Sequence, residues 1–557
     1  MDSVRKVLLV GLVQTCTLVS ATNYRLGSST YLGGSGTDSV QAMAVDSQGN
    51  MYLTGYTTSG NFPTTAGAYD RTFNGVSDVF VVKMGSSGAI IWSTFVGGAN
   101  NELGIAIKVD AQGNVYVGGA AESGFPTTSG AFQRTHAGGG RDAIIFKLSA
   151  NGSTLLWSTY FGSSDTIDGL REIAIDSASN VAIATGFEGG TWPSAISTKF
   201  VNSPAGGRDA VAAIIKSDGT QVLWARYVGG SGNDSYAGTV QFDSSANLYL
   251  LTFTNSGDIL TTANAYDRTH NGSEDAYLLK LSADGRSVIF ATFLGGGNDE
   301  SSSKHLLALD GQGNAFVVGT TRSPDFPTTA GAYQRVYAGS NSGIWERDGD
   351  LFISKISANG SQLLASTFLG GSWGEIVETV VVGSTGDVYL SGGTKSNDFP
   401  VTANAYQKTL RGWEDGVFVK LSGDLRTLLY STYMGGSSAS SVPDSFRGIG
   451  LDAAENAYLT GDTATTDWPL LSPTQASFGG GTKDVVVVSF TLQTATVSCD
   501  INSDSLVNVV DVQLAVNQAL GTTTCGPADL NGDGQCNIID VQRVINAALG
   551  ASCVVGP

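Results

Sequence analysis

The chain has 557 residues, 74 of them glycine, and a formal charge of −19 from 30 basic and 49 acidic side chains. That length gives room for a large core and a second domain. The charge excludes a phosphate-neutralising nucleic-acid binder, which would depend on Lys and Arg, and excludes adsorption to anionic membranes. At the N-terminus, Met1-Asp-Ser-Val-Arg-Lys6 precedes an apolar stretch from Val7 to Val19 and then small residues up to Ala21. A basic start, a short apolar core and a small-residue cleavage site predict a signal peptide over residues 1–21 and a secreted, extracellular or cell-surface protein. The apolar run is short and broken by Gln14, and no other segment is longer, so no membrane insertion is expected.

From residue 31 a phrase of the form aromatic-x-Gly-Gly recurs. It starts at Tyr31, Phe95, Tyr160, Tyr227, Phe293, Phe368 and Tyr433, with steps of 64, 65, 67, 66, 75 and 65 residues. The third copy ends in Ser instead of the second Gly. Seven copies of one unit define a repeat architecture. Each unit holds four short runs rich in Val, Ile, Tyr and Phe, in the first Ala42–Asp46, Met51–Tyr56, Asp78–Lys83 and Ile90–Phe95, bounded by Gly, Asn, Asp and Ser. That is strand composition with turn punctuation. The tight connection Asp46-Ser-Gln-Gly-Asn50 returns at Asp110 and Asp310, where Gly and Asn accept positive φ and close a hairpin. Four antiparallel strands repeated seven times predict a seven-bladed β-propeller over residues 22–490. The seventh unit lacks its outer strand after Phe490, and a copy of that strand, Ser28-Ser-Thr-Tyr31, stands at the other end. It is expected to complete the last blade and remove an open sheet edge.

The wording of the unit, YLGG, AVDSQGNMYLTGYT, NFPTTAGAY and DVFVVK, resembles the SBBP family of bacterial β-propeller repeats. The resemblance runs from about residue 28 to 490 and implies the fold, not an activity.

Within the propeller, the Asp that opens the third strand recurs in all seven units: Asp78, Asp142, Asp209, Asp275, Asp350, Asp415 and Asp484. Such recurrence points to a turn or hydrogen-bonding role. A second set, Asp38, Glu102, Asp234, Glu300 and Glu375, lies five residues after the first Gly of each phrase, with Asp168 and Asp444 as looser counterparts. These are expected to ring one channel mouth, as solvated turn caps or as a carboxylate ring for cations or a polyhydroxylated ligand. His136 and His270 share one position of the unit and read as packing, and His305 stands alone. A Ser-His-Asp set is therefore not expected. Three tryptophans break the repeat, Trp345, Trp373 and Trp413, and Glu346, Glu375 and Glu414 neighbour them in sequence. Exposed aromatics beside carboxylates suit stacking on sugar rings, which makes these six the ligand-binding candidates.

After a linker over residues 491–498 the composition changes. Cys499, Cys525, Cys536 and Cys553 all fall in the last 59 residues, an even set that reads as disulfides; zinc is the competing reading, but no CxxC pair and no His is near. Two twelve-residue segments place oxygen donors at positions 1, 3, 5, 7, 9 and 12. They are Asp500, Asn502, Asp504, Leu506 (through its carbonyl), Asn508 and Asp511, then Asp529, Asn531, Asp533, Gln535, Asn537 and Asp540. This is the EF-hand loop pattern, with Asp for the usual Glu at position 12, and it predicts two Ca²⁺ ions. Short amphipathic helices are expected over Val512 to Leu520 and Val541 to Leu549, ended by Gly521 and Gly550. The tandem resembles a type I dockerin domain over about residues 499 to 553. The resemblance implies calcium binding and docking onto a cohesin-like partner, often one that assembles polysaccharide-degrading enzymes. Val509, Val510, Ile538 and Ile539 occupy loop positions that are commonly polar in cellulosomal dockerins. Antiparallel loop-helix halves favour pairing Cys525 with Cys536 and Cys499 with Cys553. The expected function is a secreted calcium-binding propeller that binds or scaffolds. The second reading is a dockerin-borne polysaccharide hydrolase or lyase with a possible carbohydrate ligand in either case.

Overall fold

The computed structural model describes residues 23–164, 169–234, 238–301, 306–339, 349–437, 442–493, 499–502, 506–530, 535–551 and 553–554. The expected signal peptide, the linker core at 494–498, and Asp168, His305, Trp345, Glu346, Asp504, Asn531 and Asp533 lie outside them. Residues Tyr24–Leu492 form one compact unit, and the chain from Gln493 onward belongs to another.

Seven antiparallel sheets stand among the described residues of the larger unit, and they make a seven-bladed β-propeller. The first blade runs Asp38–Val45, Met51–Thr57, Asp78–Met84 and Ile90–Val96 from the innermost strand outward. In the fifth blade the innermost strand is split into Glu300–Ser301 and Leu307–Leu309. The third strands, such as Val79 to Val82, are wholly buried on both faces. Neighbouring blades cover both sides of each sheet, so these strands read as continuous apolar runs, not as an in-out alternation. Hairpins close as the Asp-x-x-Gly-Asn phrase predicts. Asp46 Oδ1 accepts from the Gln48 and Asn50 amides at 3.0 and 2.9 Å, and Gly49 sits at φ 79°.

Tryptophan ties one blade to the next. Trp92, Trp157 and Trp224 donate from Nε1 to the carbonyls of Ala150, Ser217 and Ala283 at 3.0, 2.9 and 2.9 Å. Each indole lies against a glycine at positive φ, Gly152, Gly219 and Gly285. A methyl group at Gly219 would lie 2.6 Å from Trp157 Cδ2, on a backbone at φ 69°. Gly219→Ala should therefore lower propeller stability by about 2–5 kcal/mol, combining left-handed backbone strain with displacement of the indole. Denaturant unfolding measures it; a loss below about 0.5 kcal/mol, the range of an ordinary surface change, would contradict the contact.

The ring closes as expected. Asn23–Leu32 is the outer strand of the last sheet, beside Asp484–Gln493, Ala457–Thr463 and Ser445–Leu451. Tyr31 Oη donates to the Thr465 carbonyl at 2.8 Å, and Trp468 Nε1 donates to Ser29 Oγ at 3.0 Å.

In the smaller unit, helices span Val509–Ala519 and Ile538–Ala548. Both begin three residues before the expected starts. Asn508 and Asn537 cap the helices, with Oδ1 accepting from the Val510 and Ile539 amides at 2.8 Å each, so the apolar pairs after them already belong to the first turn. Gly521 and Gly550 end the helices at φ 70° and 94°. Cys499, Ile501, Ala515, Ala528, Leu530, Val541 and Val544 form a small core.

Candidate functional site: buried rim carboxylates, an exposed tryptophan pair and paired loop-helix halves

All seven third-strand aspartates cap the loop that precedes them. Asp78, Asp142, Asp209, Asp275, Asp350, Asp415 and Asp484 accept from the backbone amides of Asn74, Ala137, Ala205, Asn271, Ala338, Arg411 and Gly479 at 2.5–2.9 Å. The second set corrects the expectation of an exposed ring. Asp38, Glu102, Asp234, Glu300, Glu375 and Asp444 are at most 2 % exposed. Most turn inward toward Thr and Ser donors, whereas Glu102 takes the Gly98 amide at 3.0 Å and no hydroxyl donates to its Oε1. Glu375 accepts from Thr394 Oγ1 and Ser396 Oγ at 2.9 and 2.5 Å, and Glu300 accepts from Thr321 Oγ1 and Ser323 Oγ at 2.7 Å each. Burial pushes the carboxyls of Glu102 and Glu300 up to about 7 and that of Glu375 up to about 8. The donors had a signal in the sequence that went unread. A Thr-x-Ser or Thr-x-Thr ends the second strand at Thr57, Thr254, Thr321, Thr394 and Thr463.

His136 and His270 pack edge-on against Tyr160 and Phe293. His270 Nε2 lies 3.1 Å from the Thr254 carbonyl, and His136 Nε2 lies 3.6 Å from Asp142. Their role is structural packing.

Of the six ligand-binding candidates, four are described. Trp373 and Trp413 are more than half exposed, whereas Glu375 and Glu414 are buried. The sixth blade carries both indoles, Trp373 before its innermost strand and Trp413 before its third. Lys395, at the end of its second strand, places Nζ 5.8 Å from the Trp413 ring centre and bonds through its amide to the Gly374 carbonyl at 3.1 Å. Among the described residues the structure thus gathers two tryptophans and a lysine on one blade, and neither Glu375 nor Glu414 is exposed beside them. Lys395 was missed because it follows the repeated Thr and looks like any surface lysine.

In the smaller unit, the last position of each twelve-residue segment is a buried aspartate. Asp511 Oδ1 accepts from Ile501 N at 2.7 Å and Asn502 N at 3.1 Å, and its Oδ2 accepts from Asn508 N at 2.9 Å. Asp540 repeats the pattern with Leu530 N at 2.9 Å and Asn537 N at 3.0 Å. Burial opposes ionisation of Asp511, but the three amides outweigh it and hold the carboxyl below its usual range. Asp500, Asn502, Leu506 and Asn508 stand on the same loop, and Asp529, Gln535 and Asn537 on its counterpart. Disulfides join Cys499 to Cys553 and Cys525 to Cys536, the pairing expected from antiparallel halves. Val509, Val510, Ile538 and Ile539 are exposed at corresponding points of the two helices. No described helix is long and apolar enough to cross a membrane.

Comparison with known proteins places two families on the chain. Residues 29–63 match SBBP, described as a beta-propeller repeat, and residues 498–549 match the dockerin type I domain. No curated protein matches. Solved structures that align include the WD40 domain of Neurospora crassa Pan2, at 8% identity and TM-score 0.41, covering 84% of this chain and 97% of that one. BamB from Moraxella catarrhalis aligns at 14% identity and TM-score 0.34, covering 84% and 99%. Virginiamycin B lyase from Staphylococcus aureus aligns at 9% identity and TM-score 0.39, covering 84% and 100%. The chain is a seven-bladed β-propeller with an SBBP repeat, joined to a C-terminal type I dockerin domain.

Proposed function

We propose that this is a secreted binding or scaffold module whose calcium-loaded dockerin fastens the propeller to a cohesin-like partner. One observation carries the reading: two loop-helix halves, each with its position-12 aspartate buried against the loop's start and an apolar pair exposed on the first helical turn. The donor set fits calcium. The side chains are hard oxygen donors, and Asp511 is held ionised, as a cation ligand must be. Asp500, Asn502, Asp504, Asn508, Asp511 and the Leu506 carbonyl would hold one ion. Asp529, Asn531, Asp533, Asn537, Asp540 and the Gln535 carbonyl would hold the other. Bound calcium supplies positive charge that offsets the clustered carboxylates. The two disulfides accord with an oxidising, extracellular compartment.

On the propeller, Trp373 and Trp413 are the ligand platform, and the ligand class that suits them is a carbohydrate stacked on the indoles. Hydrolysis would need two carboxylates facing a sugar. Burial of Glu375 and Glu414 favours binding over that second reading.

Calorimetric titration of the full chain with Ca²⁺ tests the calcium assignment. Two ions per chain are expected, and one after Asp529→Ala with Asp533→Ala. Absence of binding heat at millimolar calcium would contradict it.

A further inference from the structure

The junctions between blades hold buried carboxylates in facing pairs. At the junction that closes the ring, Asp484 of the last blade meets Asp38 of the first. A methyl group on Gly33 would lie 2.8 Å from both Asp38 Oδ2 and Asp484 Oδ1. Between the fifth and sixth blades, a methyl group on Gly370 would lie 2.5 Å from Asp350 Oδ1 and 2.6 Å from Glu375 Oε2. The glycine of each of these two phrases is therefore the floor on which two carboxylates converge. Asp484 Oδ1, Asp350 Oδ1 and Glu375 Oε2 have no well-aligned hydrogen-bond donor, although the amides of Gly480, Gly339 and Gly371 act on these carboxyls, and the three residues are at most 1 % exposed.

The other oxygens are well supplied. Asp38 accepts from Gly34 N at 2.7 Å, from Ser59 Oγ at 2.8 Å and from Thr57 Oγ1. Asp350 Oδ2 accepts from Ala338 N at 2.8 Å and Gln334 Nε2 at 3.0 Å. What is missing among the described residues is a positive charge. Among the described residues none of these four carboxylates has an ion pair. The charged neighbour of Asp38 is another carboxylate, Asp462, which itself takes Lys483 at 2.8 Å and Arg447 at 3.7 Å. The Tyr31 phenol faces Asp484. Asp398 is the further charge acting on Asp350, and the Tyr433 phenol faces Glu375. Two dry anions that converge with no cation between them repel by far more than their remaining hydrogen bonds return. One proton shared within each pair removes that repulsion and satisfies the oxygens that have no other partner, Asp484 Oδ1 in the first pair and Asp350 Oδ1 and Glu375 Oε2 in the second.

We propose that these two junctions are closed by carboxyl–carboxylate pairs, each sharing a single proton taken up from water, so that the propeller ring is held more firmly in mild acid than above neutrality. Burial agrees with this. It raises Asp484 to about 7 and Glu375 to about 8, with the facing Asp38 and Asp350 carboxylates adding to it, and it raises Asp350 to about 6 and Asp38 as well. In the unfolded chain these groups titrate near about 4. Between those limits the folded chain binds protons that the unfolded chain does not. The contribution is thus complete below about pH 4 and is lost as pH rises through 6 to 8.

The test is thermal unfolding of the full chain in EDTA, following the propeller transition at about pH 5.5 and about pH 8. Wild type should melt higher at the lower pH. Asp484→Asn and Glu375→Gln supply an N–H in place of the shared O–H. Each should shrink the gap by raising the midpoint at the higher pH. Variants that leave the gap unchanged would overturn the proposal. So would calcium raising the wild-type midpoint at the higher pH but not that of Asp484→Asn, since the pair would then hold a cation. If a variant does not fold, wild type alone can still overturn the proposal, although Glu102 and Glu300 titrate in the same window. Calorimetric unfolding near neutrality in two buffers of different ionisation enthalpy should register protons released on unfolding, and none released overturns the pairing.

Discussion

Removal of residues 23–32 should abolish cooperative unfolding of the propeller and drive the protein into aggregates. That strand buries Tyr24, Leu26, Tyr31 and Leu32, and Tyr24 Oη donates to the Glu455 carbonyl at 3.0 Å from 431 positions away in sequence. Its loss also strips a partner from Trp468 and bares the edge of Asp484–Gln493. Truncating a single large buried aromatic costs about 3–5 kcal/mol. Two tyrosines and two leucines together therefore rival the whole stability of an ordinary domain, about 5–15 kcal/mol. An exposed apolar strand edge also templates association. Scanning calorimetry with size-exclusion chromatography measures both effects. A monomer with unchanged melting would show that the last blade does not need the N-terminal strand.

The second large effect belongs to Asp511→Ala in the dockerin. Its carboxylate takes the amides of Ile501, Asn502 and Asn508, all of which lose their partner at once. At about 1–3 kcal/mol for the buried Ile501 donor left unsatisfied, with smaller losses at the part-buried amides of Asn502 and Asn508, the cost is a large share of what so small a core supplies. The helical circular dichroism of Val509–Ala519 should fall even at saturating calcium, because the loss includes the loop's own framework as well as a proposed ion ligand. Asp511→Asn, which keeps one acceptor oxygen, should recover part of the signal. An alanine variant with full helicity in calcium would place the stabilising role elsewhere, in the disulfide across 54 residues between Cys499 and Cys553.

Much of this fold was legible in the sequence because a repeat averages out local ambiguity. One Val-Phe-Val-Val run is equivocal, but seven at one spacing are not, and the orphaned Ser28-Ser-Thr-Tyr31 announced how the ring closes. Loop chemistry was legible for the same reason, since Asp46 and Asp78 recur with their turns. The orientation of the second carboxylate set was not. An acidic residue in a Gly-rich connection reads as solvated, and only the Thr-x-Ser donors across the blade explain why Glu375 and Asp38 turn inward. The same blindness attached Glu375 and Glu414 to the tryptophans, which they neighbour in sequence but do not join at the surface. In the dockerin, spacing identified the two loop-helix halves, while the early helix starts followed from side-chain capping by Asn508 and Asn537 that a periodicity reading does not weigh.

Capture of the full chain by immobilised type I cohesins, with calcium and with EDTA, tests the docking role most directly. The account predicts calcium-dependent binding that is lost when Val510→Asp and Ile539→Asp are combined, one change on each exposed helix start, with both helices still folded by circular dichroism. Failure to bind any cohesin of a broad panel in calcium, by a protein shown to be folded and calcium-loaded, would contradict it.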